Sequence, residues 1–280
     1  METRTPISFS DLLARPREKA DARTSYGPLP LQFGELWLPG GPGPHPVVAM
    51  IHGGCWRADL PGLELMDDIS ADLRGAGVAV WNIEYRRIGH DGGGYPGTFQ
   101  DTARAIDHLR SLAPIFHLDL ARVVTVGHSA GGHLAVWAAG RSGLPASNPL
   151  RGKRPLKIRA VVSLAGIVDL AGYRETGPDA CGGPATIDAI TGAADRAGQD
   201  VFADTSPMAM APIGVPQTVV SGDLDPIVPT RFGHAYGARA AGLGDTVAIY
   251  DMPGAGHFEL IDSTSEAWPV IRAQIQASLD

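Results

Sequence analysis

The run Val123-Val124-Thr125-Val126-Gly127-His128-Ser129-Ala130-Gly131-Gly132 constrains this chain more than any other. A β-branched segment leads into Gly-x-Ser-x-Gly, and an alanine-rich helical segment follows. A serine in that setting sits on a sharp, strained strand-to-helix turn that lifts its hydroxyl above the sheet. Gly127 and Gly131 carry no Cβ, so strand and helix can approach closely there. The helix beginning at Ala130 turns its positive dipole end toward the same point. A chance serine in a glycine-rich turn would need neither flank, so Ser129 is the candidate nucleophile.

Such a turn needs a sheet around it, and the rest of the chain supplies one. Apolar runs at Leu31–Leu38, Val47–Ile51, Val78–Ile83, Val123–Val126, Ala160–Leu164, Thr218–Ser221 and Val247–Asp251 read as strands. Helical spacing over Leu63–Gly75, Thr98–Leu112, Ala130–Ala139, Arg231–Ala241 and Trp268–Leu279 alternates with them. This alternation predicts an α/β domain with a mostly parallel central sheet flanked by helices on both faces. The 280 residues suit one such domain over 27–280, preceded by an N-terminal arm over 1–26 in which Phe9, Leu12 and Leu13 can pack. Residues 171–212 break the rhythm without a clean strand. A structureless loop of that length is improbable in a compact domain, so they are expected to form a small, partly helical cap insertion.

Charge and composition exclude several function classes. The net charge of -7, with no basic tract, argues against a nucleic-acid partner. No run of about 18 apolar residues is present, so no membrane span is expected. Residues 1–26 are rich in charge and lack a signal-peptide core, which makes a cytoplasmic location the expectation. Two cysteines, Cys55 and Cys181, are fewer than a secreted disulfide scaffold would carry. No metal-ligand cluster of standard spacing occurs, and neither metal nor organic cofactor is expected.

A serine nucleophile implies a tetrahedral oxyanion, which needs preorganised N–H donors. His52-Gly53-Gly54-Cys55-Trp56 follows a predicted strand upstream of the serine, and glycine lets its amides turn inward. Gly54 and Cys55 are the expected donors, joined by Ala130 just after the nucleophile. Trp56 is expected to line the substrate side, or else to pack beneath the loop. The base should come late in the chain. His257, in Gly254-Ala255-Gly256-His257 just past a strand, fits better than His90, His108, His117, His133 or His234. The acid should lie between the two. Asp223 and Asp225 both follow the strand Thr218–Ser221 and are two apart, so both could face the same way; Asp169 is a weaker third candidate.

These residues resemble a known group. His52-Gly53-Gly54-x-Trp56, Asn82-Ile83-Glu84-Tyr85-Arg86 and Gly127-His128-Ser129-Ala130-Gly131-Gly132-His133-Leu134-Ala135 are similar to motifs of α/β-hydrolase serine esterases, the group of kynurenine formamidases and hormone-sensitive-lipase-like carboxylesterases. The similarity runs from about residue 26 to the C-terminus. Position 55 departs from it, since hormone-sensitive-lipase relatives carry a third glycine there; this leans toward the formamidase-like branch. The resemblance implies the α/β-hydrolase fold. It selects Asp225, whose Asp-Pro-x-Val-Pro setting is the acid's usual one, and discounts Cys55 as a nucleophile.

The implied activity is hydrolysis of short-acyl carboxylic esters through an acyl-enzyme, with a small-molecule ester as partner. Arylformamidase action on an N-formylkynurenine-type formamide is the alternative. A non-catalytic binding protein that keeps the hydrolase fold is a third reading, disfavoured by the intact Ser, Asp and His. Oligomeric state is not legible in the sequence.

Overall fold

A computed structural model describes residues 5–280. Eight strands form one sheet: β1 (Ala22–Ser25), β2 (Phe33–Trp37), β3 (His45–Ile51), β4 (Ala79–Ile83), β5 (Leu118–His128), β6 (Ala160–Leu164), β7 (Gln217–Gly222) and β8 (Val247–Met252). Their order is β1-β2-β4-β3-β5-β6-β7-β8. Strands β1 and β2 pair antiparallel with each other, and β2 pairs antiparallel with β4. All other pairings are parallel. The mostly parallel sheet expected from the alternation is therefore present, with an antiparallel edge.

The helices are α1 (Phe9–Leu13), α2 (Asp67–Gly75), α3 (Gly97–Phe116), α4 (Ala130–Gly140), α5 (Leu170–Thr176), α6 (Gly183–Thr191), α7 (Pro207–Met210), α8 (Thr230–Gly242) and α9 (Trp268–Leu279). The register assigns them to faces. Trp81 and Thr125 both pair with Ala49. Trp81 Nε1 donates to Ala105 O on α3, and Thr125 Oγ1 donates to Ala135 O on α4, so α3 and α4 share one face. Asn82, of opposite parity, donates to Leu63 O just ahead of α2, which covers the other face. Trp268 Nε1 donates to Asp72 Oδ2 and fastens α9 beside α2. With both faces covered, every residue of β4, β6 and β7 is buried. Near-continuous apolar strands are what a doubly covered parallel sheet requires.

Some boundaries differ from the sequence expectation. Residues 22–25 fall within the expected arm, yet they are β1, the edge strand of the sheet. Their Ala-Arg-Thr-Ser composition hides them, because an edge strand with one solvated face needs no apolar run. Strand β5 starts at Leu118 rather than Val123, because Asp119 and Arg122 interrupt the apolar run and residues 119–122 are not fully buried. The stretch expected to be a cap holds α5, α6, α7 and two short 3₁₀ turns, Asp179–Cys181 and Ala193–Asp195, between β6 and β7. Expectations that touch residues 1–4 of the arm lie outside the described residues.

Candidate active site

Ser129 lies between β5 and α4 with φ 55° and ψ −120°. A residue with a Cβ enters that region only when its surroundings hold it there, at a cost of about 1–3 kcal/mol. Close packing of glycines does the holding. A Cβ on Gly127 would lie 2.1 Å from Gly131 O, and one on Gly131 would lie 2.1 Å from Ile51 O. The Ser129 N–H donates to Leu164 O at 2.8 Å, which pins the turn to β6. The first-turn N–H groups of α4, Ala130's among them, have no intrahelical acceptor and are available to an anion.

His257 lies in the loop after β8. Its Nδ1 is 2.6 Å from Asp225 Oδ2, and both side chains are buried. Asp225 Oδ1 accepts the N–H groups of Ile227 and Val228 at 2.7 and 2.9 Å, so the carboxylate is oriented from both sides. Asp223 does something else: its Oδ1 accepts the Gly254 N–H at 2.8 Å and braces the turn. Asp169 caps α5 through the Gly172 N–H. Of the three candidate acids, only Asp225 meets His257.

His128 packs against His257, their ring centroids 4.4 Å apart. Burial, and then the charge of His257, hold its imidazole well below the ordinary histidine range, so it is neutral. Its Nε2–H donates to His257 O at 3.0 Å.

The loop after β3 has Gly54, Cys55 and Trp56 in succession at φ 93°, 50° and 56°. Gly54 O accepts the Arg57 N–H at 2.8 Å, so Cys55 and Trp56 are the central residues of a tight turn with positive φ at both. Gly54 and Cys55 line one cavity with Ser129 and His257. Beneath the loop, His52 Nδ1 faces Gly53 O at 2.8 Å and His52 Nε2 faces Glu84 Oε1 at 3.1 Å. The His52 ring stacks on Tyr85, whose hydroxyl donates to His52 O. Burial works against ionisation of Glu84, yet His52 and Arg87 together hold its carboxyl down at about 2. Arg87 Nη1 gathers the carbonyls of Arg57, Leu60 and Pro61 within 3.2 Å. Sequence reading did not find Glu84 and Arg87 as supports. The Glu84-Tyr85-Arg86 run at the end of β4 was the available signal.

Trp56 is a correction. It is fully buried and does not line the cavity. Its Nε1 donates to His133 Nδ1 at 3.2 Å, and His133 Nε2 donates to Thr205 O at 2.7 Å. Burial pushes the His133 imidazole down to about 4, so the neutral ring can accept at one nitrogen while donating at the other. At φ 56° the Trp56 side chain turns under the loop rather than toward substrate.

Cys55 and Cys181 are joined by a disulfide that spans 126 residues of sequence. The low cysteine count concealed this pairing of the loop with the cap.

The cavity over Ser129 has a volume of about 290 Å³. Phe9, Leu60, Leu65, Ile227 and Phe258 form apolar walls. Phe9 comes from the arm and meets Phe258 edge-on at 6.0 Å. The arm is anchored by the Ile7 N–H on Glu259 Oε1 at 2.7 Å, by buried Leu12 and by a two-pronged Arg15–Asp262 pair. A larger depression of about 660 Å³ lies at the opposite ends of β5, β6 and β7, lined by Arg159, Ala160 and Pro216, far from these residues. Parallel sheets bind ligands at the carboxyl ends of their strands, where Ser129 stands. Among the described residues no group of three or more His, Cys, Asp or Glu side chains is placed to hold a metal ion.

The model of the BD-FAE family matches residues 36–236 of the chain. No curated protein matches it in sequence. Solved structures share the fold. A truncated carbohydrate esterase from gut microbiota is 20% identical with TM-score 0.75, over 94% of this chain and 96% of the other. Esterase B of Lactobacillus rhamnosis is 18% identical with TM-score 0.79, over 97% and 89%. An acetyl ester-xyloside bifunctional hydrolase of Caldicellulosiruptor lactoaceticus is 17% identical with TM-score 0.72, over 92% and 96%.

Proposed function

Because the chain belongs to the BD-FAE family and has the α/β-hydrolase fold, we propose that it is a carboxylic ester hydrolase with Ser129 as nucleophile, His257 as general base and Asp225 as the acid that orients it. The observation that carries this reading is the buried Asp225–His257 pair, whose histidine lines one small cavity with Ser129. Asp225 engages Nδ1 and leaves Nε2 to take the Ser129 proton. The Ser129 oxygen attacks the ester carbonyl carbon. The carbonyl oxygen gathers the negative charge and is met by the N–H groups of Gly54, Cys55 and Ala130. His257 then protonates the departing alkoxide. Water, activated by the same histidine, hydrolyses the acyl-enzyme and frees Ser129.

The substrate is a small-molecule ester with a short acyl chain. At about 290 Å³ the cavity sits at the lower limit of ligand pockets, and its walls are apolar. Two similar structures are described as a carbohydrate esterase and an acetyl ester-xyloside bifunctional hydrolase, so acetylated sugars belong among the compounds to try. The test is kcat/KM for p-nitrophenyl acetate, butyrate, octanoate and palmitate, beside an acetylated sugar and N-formylkynurenine. Acetate or butyrate should lead. A maximum at palmitate would overturn the short-acyl reading. A formamide value far above every ester would make the enzyme an arylformamidase.

No helix of the described residues is long and apolar enough to cross a membrane. The cytoplasm expected from the sequence reduces structural disulfides, and an oxidising compartment suits the Cys55–Cys181 bond better.

A further inference from the structure

The disulfide joins two segments that otherwise have separate anchors. Cys55 belongs to the loop that lines the Ser129 cavity. Cys181 ends the 3₁₀ turn Asp179–Cys181 of the cap, and its neighbour Ala180 lines that same cavity. Around Cys181 the cap is thinly held. Asp179, Ala180 and Gly182 are exposed while Cys181 is buried, and the Gly182 N–H turns back to Asp179 O within the same turn. The ties from cap to domain lie elsewhere, among them Tyr173 on Ile227 O, Arg231 on Thr176 O, His133 on Thr205 O and Trp137 on Asp204 O.

Cys55 has its own reason to need an anchor. It holds a left-handed backbone at φ 50° without being glycine. Such a conformation persists only where the surroundings fix it. The turn that contains it is closed by the Arg57 N–H on Gly54 O, with Cys55 and Trp56 as its central residues, and Trp56 is buried with its ring on His133. For the Cys55 side chain, the fixing contact is the bond to Sγ of Cys181, with the two Cα atoms 5.3 Å apart.

We propose that the Cys55–Cys181 bond is a positioning element of the reaction: it sets the Cys55 N–H where the oxyanion forms and holds the cap turn over the cavity. Cys181 is then a positioning residue that never touches substrate. This rests on the esterase reading above. An oxyanion donor acts within a few tenths of an ångström of its ideal distance, and a misplacement of about 1 Å can cost roughly 10²-fold. The loop does not collapse when the bond opens, because His52, Glu84 and Arg87 hold it from beneath. Activity is therefore thiol-sensitive while the fold survives. A dithiol opens the bond by thiolate attack on one cysteine sulfur. The mixed disulfide resolves as the second thiolate displaces the protein thiol. The reagent leaves as a cyclic disulfide, and both cysteines hold protons.

The test compares wild type, Cys181→Ser and dithiothreitol-treated wild type well below their melting temperatures. Cys181→Ser should lower kcat for p-nitrophenyl butyrate by about tenfold or more, with a smaller change in KM. A trifluoromethyl ketone that forms the tetrahedral adduct should lose affinity in parallel. Dithiothreitol should bring wild type to the same level, reoxidation should restore it, and Cys181→Ser should not respond. Hydrogen exchange should quicken in peptides covering 53–57 and 177–183 and stay unchanged across the sheet; this readout does not depend on the esterase reading. Undiminished kcat in Cys181→Ser beside an active wild type would overturn the proposal, as would unchanged exchange in both peptides. A wild type that turns over no ester and is not labelled by a fluorophosphonate would defeat the esterase reading instead.

Discussion

The Nδ1 of His257 lies 2.6 Å from Asp225 Oδ2, while Asp223, two residues earlier, is committed to the Gly254 N–H. The two aspartates therefore predict different kinetics. Asp225→Asn should lower kcat by roughly 10³–10⁴-fold, because an amide that donates to Nδ1 imposes the wrong tautomer. Asp223→Asn should stay within about tenfold, since the amide Oδ1 still accepts the Gly254 N–H and no proton moves at this residue. Steady-state rates of both folded variants check this, and a reversed order would reassign the acid.

Ser129→Ala should lose roughly 10³-fold or more of turnover at an unchanged melting temperature. A fluorophosphonate should label wild type at Ser129 and leave the variant unlabelled. Retained turnover in the variant would remove the nucleophile, and with it the mechanism.

The arm should decide acyl length. Phe9 forms part of the cavity wall, braced by Phe258 and by the Ile7–Glu259 bond. Phe9→Ala should raise the octanoate-to-butyrate ratio of kcat/KM by about tenfold, the scale on which pockets discriminate methylenes. An unchanged ratio would mean that bound acyl chains do not reach the arm.

Asp67 predicts an unusual pH dependence of stability. Burial raises its carboxyl to about 7, Glu35 adds to the rise, and Arg17 opposes it. Between the ordinary value of 3.8 and about 7, the folded state binds more protons than the unfolded state. Stability contributed by this group is therefore present at low pH and lost as pH rises through that window. Asp67→Asn should raise the melting temperature relative to wild type near pH 8, and the difference should shrink toward pH 4. A pH-independent difference would show that Asp67 titrates normally.

Gly131 tests the packing of the elbow. An alanine there would set its Cβ 2.1 Å from Ile51 O and 2.4 Å from His52 O, both backbone atoms that cannot rotate away. Gly131→Ala should cost about 3 kcal/mol or more, or prevent soluble folding. Gly40→Ala, with nothing within 4 Å, should stay within about 0.5 kcal/mol. Chemical denaturation of both variants decides it.

Much of the molecule was legible along the chain because its signals are local. The Ser129 turn is written in about ten consecutive residues, since a strand, a strained turn and a helix each constrain their own φ and ψ. Strands β3, β4, β6 and β7 showed as apolar runs because a sheet covered on both faces leaves little room for polar residues. His257 was found by its place after β8. Other features depend on where the chain returns in space, and periodicity carries no trace of that. Local spacing left Asp223 and Asp225 equivalent; the arrival of His257 on one of them separates them. Trp56 could face substrate or core, and its left-handed backbone beside His133 sent it inward. Cys55 found Cys181 across 126 residues, and the Ile7 N–H found Glu259 across 252. Such partners meet only after the sheet has folded, because the distance between them is set by packing and not by the chain that separates them.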